Sequence, residues 1–106
     1  MRVLAVAGAK RSPALPEVPT VSEAGVPGFE AATWYAILAP ARTSREIVVR
    51  INGGVVAVLK QPDVHERLSG MAIEAVGSSP DELARHIKSE IPKWARVIKQ
   101  SGARVD

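Results

Sequence analysis

Apolar residues follow two rhythms along the chain, one suited to strands near the amino terminus and one suited to helices beyond residue 43. Val3 to Ala7 is continuously apolar and closes on Gly8, which predicts a strand buried on both faces. The run "ATWYAILAP", 32–40, ends at Pro40 and predicts a second buried strand; "AIEAV", 72–76, alternates and predicts a short edge strand. Thr43 and Glu46 have capping-box spacing and open a predicted helix with Ile47, Ile51, Val55, Val58 and Leu59 on one face. Gly53 and Gly54 weaken that helix by about 1 kcal/mol each relative to alanine. Pro62 at a first helical position and Gly70 beyond the end bracket a short second helix.

The third helix has the strongest start, "SPDE" at 79–82, where a cap, a first-turn proline and acidic residues coincide. Leu83, Ile87, Ile91, Trp94 and Ile98 then share one face up to Gly102. Pro92 removes the backbone bond to Lys88 and predicts a kink. A core position for Trp94 implies a loss of about 3–5 kcal/mol on truncation to alanine.

The connection "LPEVPTVSEAG", 15–25, is set by its prolines. Pro16 and Pro19 fix their own φ and push Leu15 and Val18 out of the helical region, so the chain runs extended until Thr20. Thr20 and Glu23 then form a second capping-box pair, and Gly25 with Pro27 stops the turn. The glycine and proline break "GVPGFE", 25–30, is the best boundary candidate.

Composition narrows the class without naming a chemistry. A length of 106 residues suits one domain, and 46% hydrophobic with 24% charged residues argues against disorder. No apolar run approaches the roughly 20 residues that span a bilayer, and "MRVLAVAGAKR" is too short in its apolar part to read as a signal peptide. The absence of cysteine excludes a disulfide framework and thiolate metal sites. A net charge of +3 is compatible with anionic partners but does not demand them.

Enzymatic signatures are missing. His65 and Glu66 begin a zinc-protease pattern, yet Ser69 stands where the second histidine belongs. No nucleophile elbow, P-loop or dinucleotide fingerprint occurs, so catalytic residues, metal ligands and cofactors are all expected to be absent. His86 is read as a surface residue paired with Glu82. Basic residues in the last helix are read as helix-spaced partners of acids, Asp81 with Arg85 and Glu90 with Lys93, rather than as a nucleic-acid face.

With these elements placed, "LAVAGAKRSPALPEVPTVSEAGVPGFEAATWYAILAP", 4–40, resembles the carboxyl-terminal third of the substrate-binding receptors of tripartite tricarboxylate transporters, the Bug-type periplasmic receptors. The segments "EIVVRINGGVVAVLKQPDVHERL", "VGSSPDEL" and "EIPKWARVIKQSGARVD" resemble the same family in the same order. Arg42 and Ser44 stand where the family usually has glycine and proline, and Ala72 replaces a usual glycine.

The resemblance implies an α/β chain, a helix-rich fragment of a type II periplasmic-binding fold with a few short strands. Residues 1–29 would be a remnant of the second lobe with its crossover, and 30–106 the carboxyl-terminal part of the first lobe. It implies non-enzymatic capture of a small carboxylate in the periplasm and delivery to a membrane permease. Arg11, Thr33 and Trp34 are the candidate substrate-binding residues. A truncated chain of this kind is also expected to self-associate through exposed strand edges. The alternative is a stand-alone basic interaction module with nucleic acid as its anionic partner.

Overall fold

The computed structural model describes residues 2–104 and contains three helices, α1 (Arg45–Leu59), α2 (Pro62–Gly70) and α3 (Pro80–Ser101). Val105 and Asp106, the end of the closing motif, lie outside the described residues. The chain forms two compact units, one of Met1–Ile37 with Pro62–Ala75 and one of Leu38–Gln61 with Val76–Asp106. Helices therefore dominate, as the periodicity predicts.

In the second unit α1 begins one residue later than its predicted cap. Ser44, not Thr43, is the N-cap, with its hydroxyl accepting from the Ile47 amide at 3.5 Å. The face of α1 also differs from the predicted stripe. Val48, Asn52, Val55, Val56 and Leu59 are half-buried, whereas Ile47, Ile51 and Val58 are exposed. The predicted stripe is therefore correct in being apolar but lies partly to one side of the face that α1 turns inward. Asn52 donates to the Ser78 carbonyl at 2.9 Å, which explains a polar residue on that inward face.

Helix α3 starts as its sequence demands. Ser79 accepts from the Glu82 amide and the Glu82 carboxylate accepts from the Ser79 amide, a reciprocal capping box at 3.3 and 2.7 Å. The helix runs through Pro92 and stops at Gly102, whose φ of 68° is the left-handed conformation that glycine adopts without steric cost. Arg45 at the start of α1 meets Asp81 at the start of α3 through two bonds of 2.9 and 3.3 Å. Arg45 thus takes the direct bonds to Asp81, because a guanidinium fork matches both carboxylate oxygens at once, while the expected partner Arg85 acts on Asp81 only through its charge. The Glu90–Lys93 pair is present at 3.0 Å.

In the first unit α2 presents half-buried Val64 and Leu68. Gly70 belongs to the helix instead of lying beyond it, and the left-handed residue that follows is Ala72 with φ 57°. The predicted strands do not form as ladders. Among the described residues the only strand-type pairing is an isolated parallel bridge between Val6 and Thr20. Segments 3–7, 32–40 and 72–76 have the composition of sheet interior but mostly lack neighbouring strands. Leu4, Tyr35 and Leu38 are consequently exposed.

No hydrophobic side chain among the described residues is fully buried, and Thr20 is the sole buried polar residue at 3% exposure. The total accessible surface is 9118 Å². A folded monomer of 11.3 kDa exposes about 5,700 Å², and two independent compact bodies of half that mass expose about 6,900 Å² together. The two units taken together therefore expose more surface than two self-sufficient domains of this mass would. The excess is about 2,200 Å² even on the second comparison.

Candidate functional site

The most connected backbone in the first unit surrounds Val6 and Ala7. The Val6 amide donates to the Pro19 carbonyl and the Val21 amide donates to the Val6 carbonyl, both at 2.9 Å. The Ala31 amide donates to the Ala7 carbonyl, also at 2.9 Å. Successive residues of an extended chain point their amides and carbonyls to opposite sides. The 5–7 segment is thus gripped on one side by residues 19–21 and on the other by residue 31.

The loop leaving this junction is held by a carboxylate. Glu23 Oε2 accepts from the Thr20 amide at 2.9 Å and from Arg11 Nε at 2.9 Å, while Thr20 Oγ1 accepts from the Glu23 amide at 3.1 Å. The predicted Thr20–Glu23 capping box is therefore real, and it carries a third member. Arg11 also donates from its Nη1 to the Pro16 carbonyl at 3.3 Å. The Thr20 amide, followed by the Arg11 guanidinium, holds the Glu23 carboxyl below its ordinary value of 4.5. Ser22 Oγ accepts from the Gly28 amide at 3.0 Å and fixes the start of the glycine and proline break.

The three candidate binding residues occupy unequal positions. Arg11 follows Ala7 by four residues and two of its five donors are engaged, with its side chain about half exposed. The remaining edge of the guanidinium has the planar fork that suits a carboxylate. Thr33 and Trp34 follow Ala31 by two and three residues, on the exposed segment beyond the junction. The Ala7–Ala31 bond thus brings their backbone to the same junction as the Arg11 loop, while the Arg11 side chain turns to Glu23 and Pro16.

Sequence reasoning missed Glu23 as the partner of Arg11. The signal was half visible, since the capping role alone places Glu23, but a separation of 12 residues through two prolines gives no periodic clue to the pairing. It also missed the role of Thr20, the most buried described residue, which serves the bridge to Val6 and the cap together.

Elsewhere the polar chemistry is structural. Glu82 is held below its ordinary pKa by the Ser79 amide first and the Ser79 hydroxyl second, and Asp81 by Arg45. Glu82, expected as the partner of His86, commits its Oε2 to the cap, where it accepts from both the amide and the hydroxyl of Ser79 at 2.7 Å. Glu90 accepts from Trp94 Nε1 at 2.6 Å and from Lys93, whose ammonium also lies 5.5 Å from the Trp94 ring centroid. No group of three or more His, Cys, Asp or Glu side chains able to hold a metal occurs among the described residues. No helix among them is long and apolar enough to cross a membrane.

Comparison with known proteins gives this geometry its context. Residues 1–103 match the tripartite tricarboxylate transporter family receptor, TctC. A UPF0065 protein in the tcbD-tcbE intergenic region of a Pseudomonas species is 42% identical over 99 residues, covering 92% of this chain and 30% of its own length. Protein BugT of Bordetella pertussis is 34% identical over 105 residues, covering 99% of this chain and 32% of its own. Among solved structures, R. palustris Rpa4515 with adipate superposes with a TM-score of 0.78 at 42% identity, over 95% of this chain and 34% of that one. The periplasmic binding protein BugD gives 0.76 at 33% identity, over 92% of this chain and 33% of its own.

The fold is therefore that of a portion of a periplasmic binding protein, and the chain spans about a third of the length of these four relatives. The family is one of solute-binding receptors rather than enzymes. By the match over nearly its whole length, this chain belongs to the tripartite tricarboxylate transporter receptor family and corresponds to about a third of a Bug-type member.

Proposed function

We propose that the chain is the carboxyl-terminal portion of a periplasmic receptor that captures a small carboxylate and delivers it to the membrane permease of a tripartite tricarboxylate transporter. The observation that carries this reading is the 42% identity and 0.78 TM-score to a relative solved with adipate, a dicarboxylate. In the whole receptor, residues 1–29 form the last part of the second lobe with its crossover, and 30–106 the end of the first lobe. The Ala31–Ala7 hydrogen bond joins residues on either side of that boundary and supports a stiff crossover rather than a loose linker.

Within this assembly Arg11, Thr33 and Trp34 line the carboxylate site. Arg11 offers its unengaged guanidinium edge to a ligand oxygen pair, Thr33 offers a hydroxyl, and Trp34 packs against the methylene chain. Glu23 orients Arg11 and offsets part of its charge, so binding relies on geometry and hydrogen bonding more than on long-range attraction.

The test is calorimetric titration of a chimera in which this chain replaces the matching third of R. palustris Rpa4515. The chimera with Arg11 intact is expected to bind adipate. Arg11→Lys, which keeps the charge but loses the fork, is expected to weaken binding by roughly 10-fold or more, the range of one charge-assisted hydrogen bond. Unchanged affinity in Arg11→Lys would remove Arg11 from the site.

A further inference from the structure

The net charge of +3 hides an uneven distribution. The second unit carries ten Lys and Arg against five Asp and Glu, a net +5, whereas the first carries four against six, a net −2. Much of the second unit's positive charge stands on α3. At 100° per residue, Arg85, Lys88, Arg96 and Lys99 fall within an arc of about 80°, centred about 140° round the helix from the stripe of Leu83, Ile87, Ile91, Trp94 and Ile98. All four basic residues are exposed, and the row from Arg85 to Lys99 runs about 21 Å.

The acids of α3 are engaged elsewhere. Asp81 accepts from Arg45 with both carboxylate oxygens, Glu82 commits its Oε2 to the Ser79 cap, and Glu90 accepts from Lys93 and Trp94 away from the basic row. Arg85 acts on Asp81 and Glu82 only through its charge. Among the described residues no ion pair engages Lys88, Arg96 or Lys99. Beside the basic residues stand Ser89 and Pro92, and no aromatic or branched apolar side chain shares their arc.

We propose that this row is a membrane-docking surface, which seats the receptor on anionic phospholipid headgroups. The proposal rests on the receptor reading above, which brings the protein to a membrane that holds its permease. A protein partner is gripped by anchors in desolvated pockets ringed by water-excluding contacts, and this arc has no apolar ring to exclude water. A surface of diffuse negative charge needs only several cations that reach it together, and the convex back of α3 supplies them.

Vesicle co-sedimentation of the chain tests the proposal. With about 30% phosphatidylglycerol in phosphatidylcholine at about 50 mM salt the chain should bind, and its affinity should fall steeply towards about 500 mM as the Debye length shrinks. Removing three charges from the row, Lys88→Gln with Arg96→Gln and Lys99→Gln, should weaken binding on the order of 100-fold, at roughly 5-fold per basic residue. Removing three from the first unit, Arg2→Gln with Lys10→Gln and Arg67→Gln, lowers the net charge equally and should cost less than about 5-fold. Glutamine is a good helix former and these side chains are exposed, so circular dichroism should show both triple variants folded. Lys88→Arg with Lys99→Arg keeps the charge and should bind as the unchanged chain does. Equal losses in the two triple variants would reduce the attraction to net charge and overturn the proposal. So would equal binding to phosphatidylcholine alone, which would assign it to exposed apolar residues, and so would tighter binding per phosphate to duplex DNA. Adipate titration of the chimera is read separately. A chimera that binds adipate beside a chain that ignores anionic vesicles overturns the membrane seat and leaves the receptor reading standing.

Discussion

Replacing Ala72 by glycine should stabilise the protein. Ala72 has φ 57°, in the left-handed region, two residues beyond the end of α2. The Ala72 amide donates to the Ser69 carbonyl at 3.0 Å and the Ile73 amide to the Leu68 carbonyl at 2.9 Å. These are the paired bonds of a Schellman ending, in which the left-handed residue is usually glycine. An L side chain there costs about 1–2 kcal/mol, because its Cβ crowds the following carbonyl. Glycine gives back about 0.5–1 kcal/mol through the greater freedom of its unfolded chain. Ala72→Gly should therefore gain about 0.5–1 kcal/mol, read as a higher urea midpoint at unchanged slope. Gly53→Ala is the matching control, since Gly53 lies inside α1 with open space where a Cβ would stand and should also gain about 1 kcal/mol. A neutral or destabilising Ala72→Gly beside a stabilising Gly53→Ala would refute the left-handed ending of α2.

Two further outcomes are expected. Trp94→Ala in the chain alone should cost about 1–2 kcal/mol by urea titration, below the 3–5 kcal/mol of a core tryptophan, because the ring is over a third exposed; a loss in the core range would place it inside. Glu23 and Glu82 are both held below 4.5, so the folded chain binds fewer protons than the unfolded one. Their contribution to stability is full above that pH and is lost as pH falls through the lower folded values. Melting followed from about pH 6 to pH 3 should drop below about 4.5, less steeply in Glu82→Gln, and an identical drop in that variant would remove the α3 cap from the cause.

Local signals were legible where the physics was local. The Thr20–Glu23 and Ser79–Glu82 boxes, the stop at Gly102 and the Glu90–Lys93 pair each depend on residues within a turn of one another, and each is present. Signals that depend on a neighbour elsewhere in the chain misled. "VLAVA" and "ATWYAILAP" read as buried strands because their composition suits a sheet interior, yet burial and pairing are properties of the surrounding layers. The same cause explains α1, whose width of apolar arc the sequence showed but whose inward side only packing against α3 decides. For the candidate site, Arg11 was visible as a basic residue after a strand-like run. Its ion pair with Glu23 was not, because it depends on the path imposed by Pro16 and Pro19.

Whether this chain supports carboxylate binding is decided by titrating the Rpa4515 chimera with adipate and with 1,6-hexanediol, a neutral diol with the same number of carbons. One saturable site is expected for adipate, measurable by calorimetry, and no saturable heat for the diol, if charge-assisted hydrogen bonds to carboxylate oxygens carry the recognition. A folded chimera that binds neither compound, or binds both equally, would contradict the carboxylate reading.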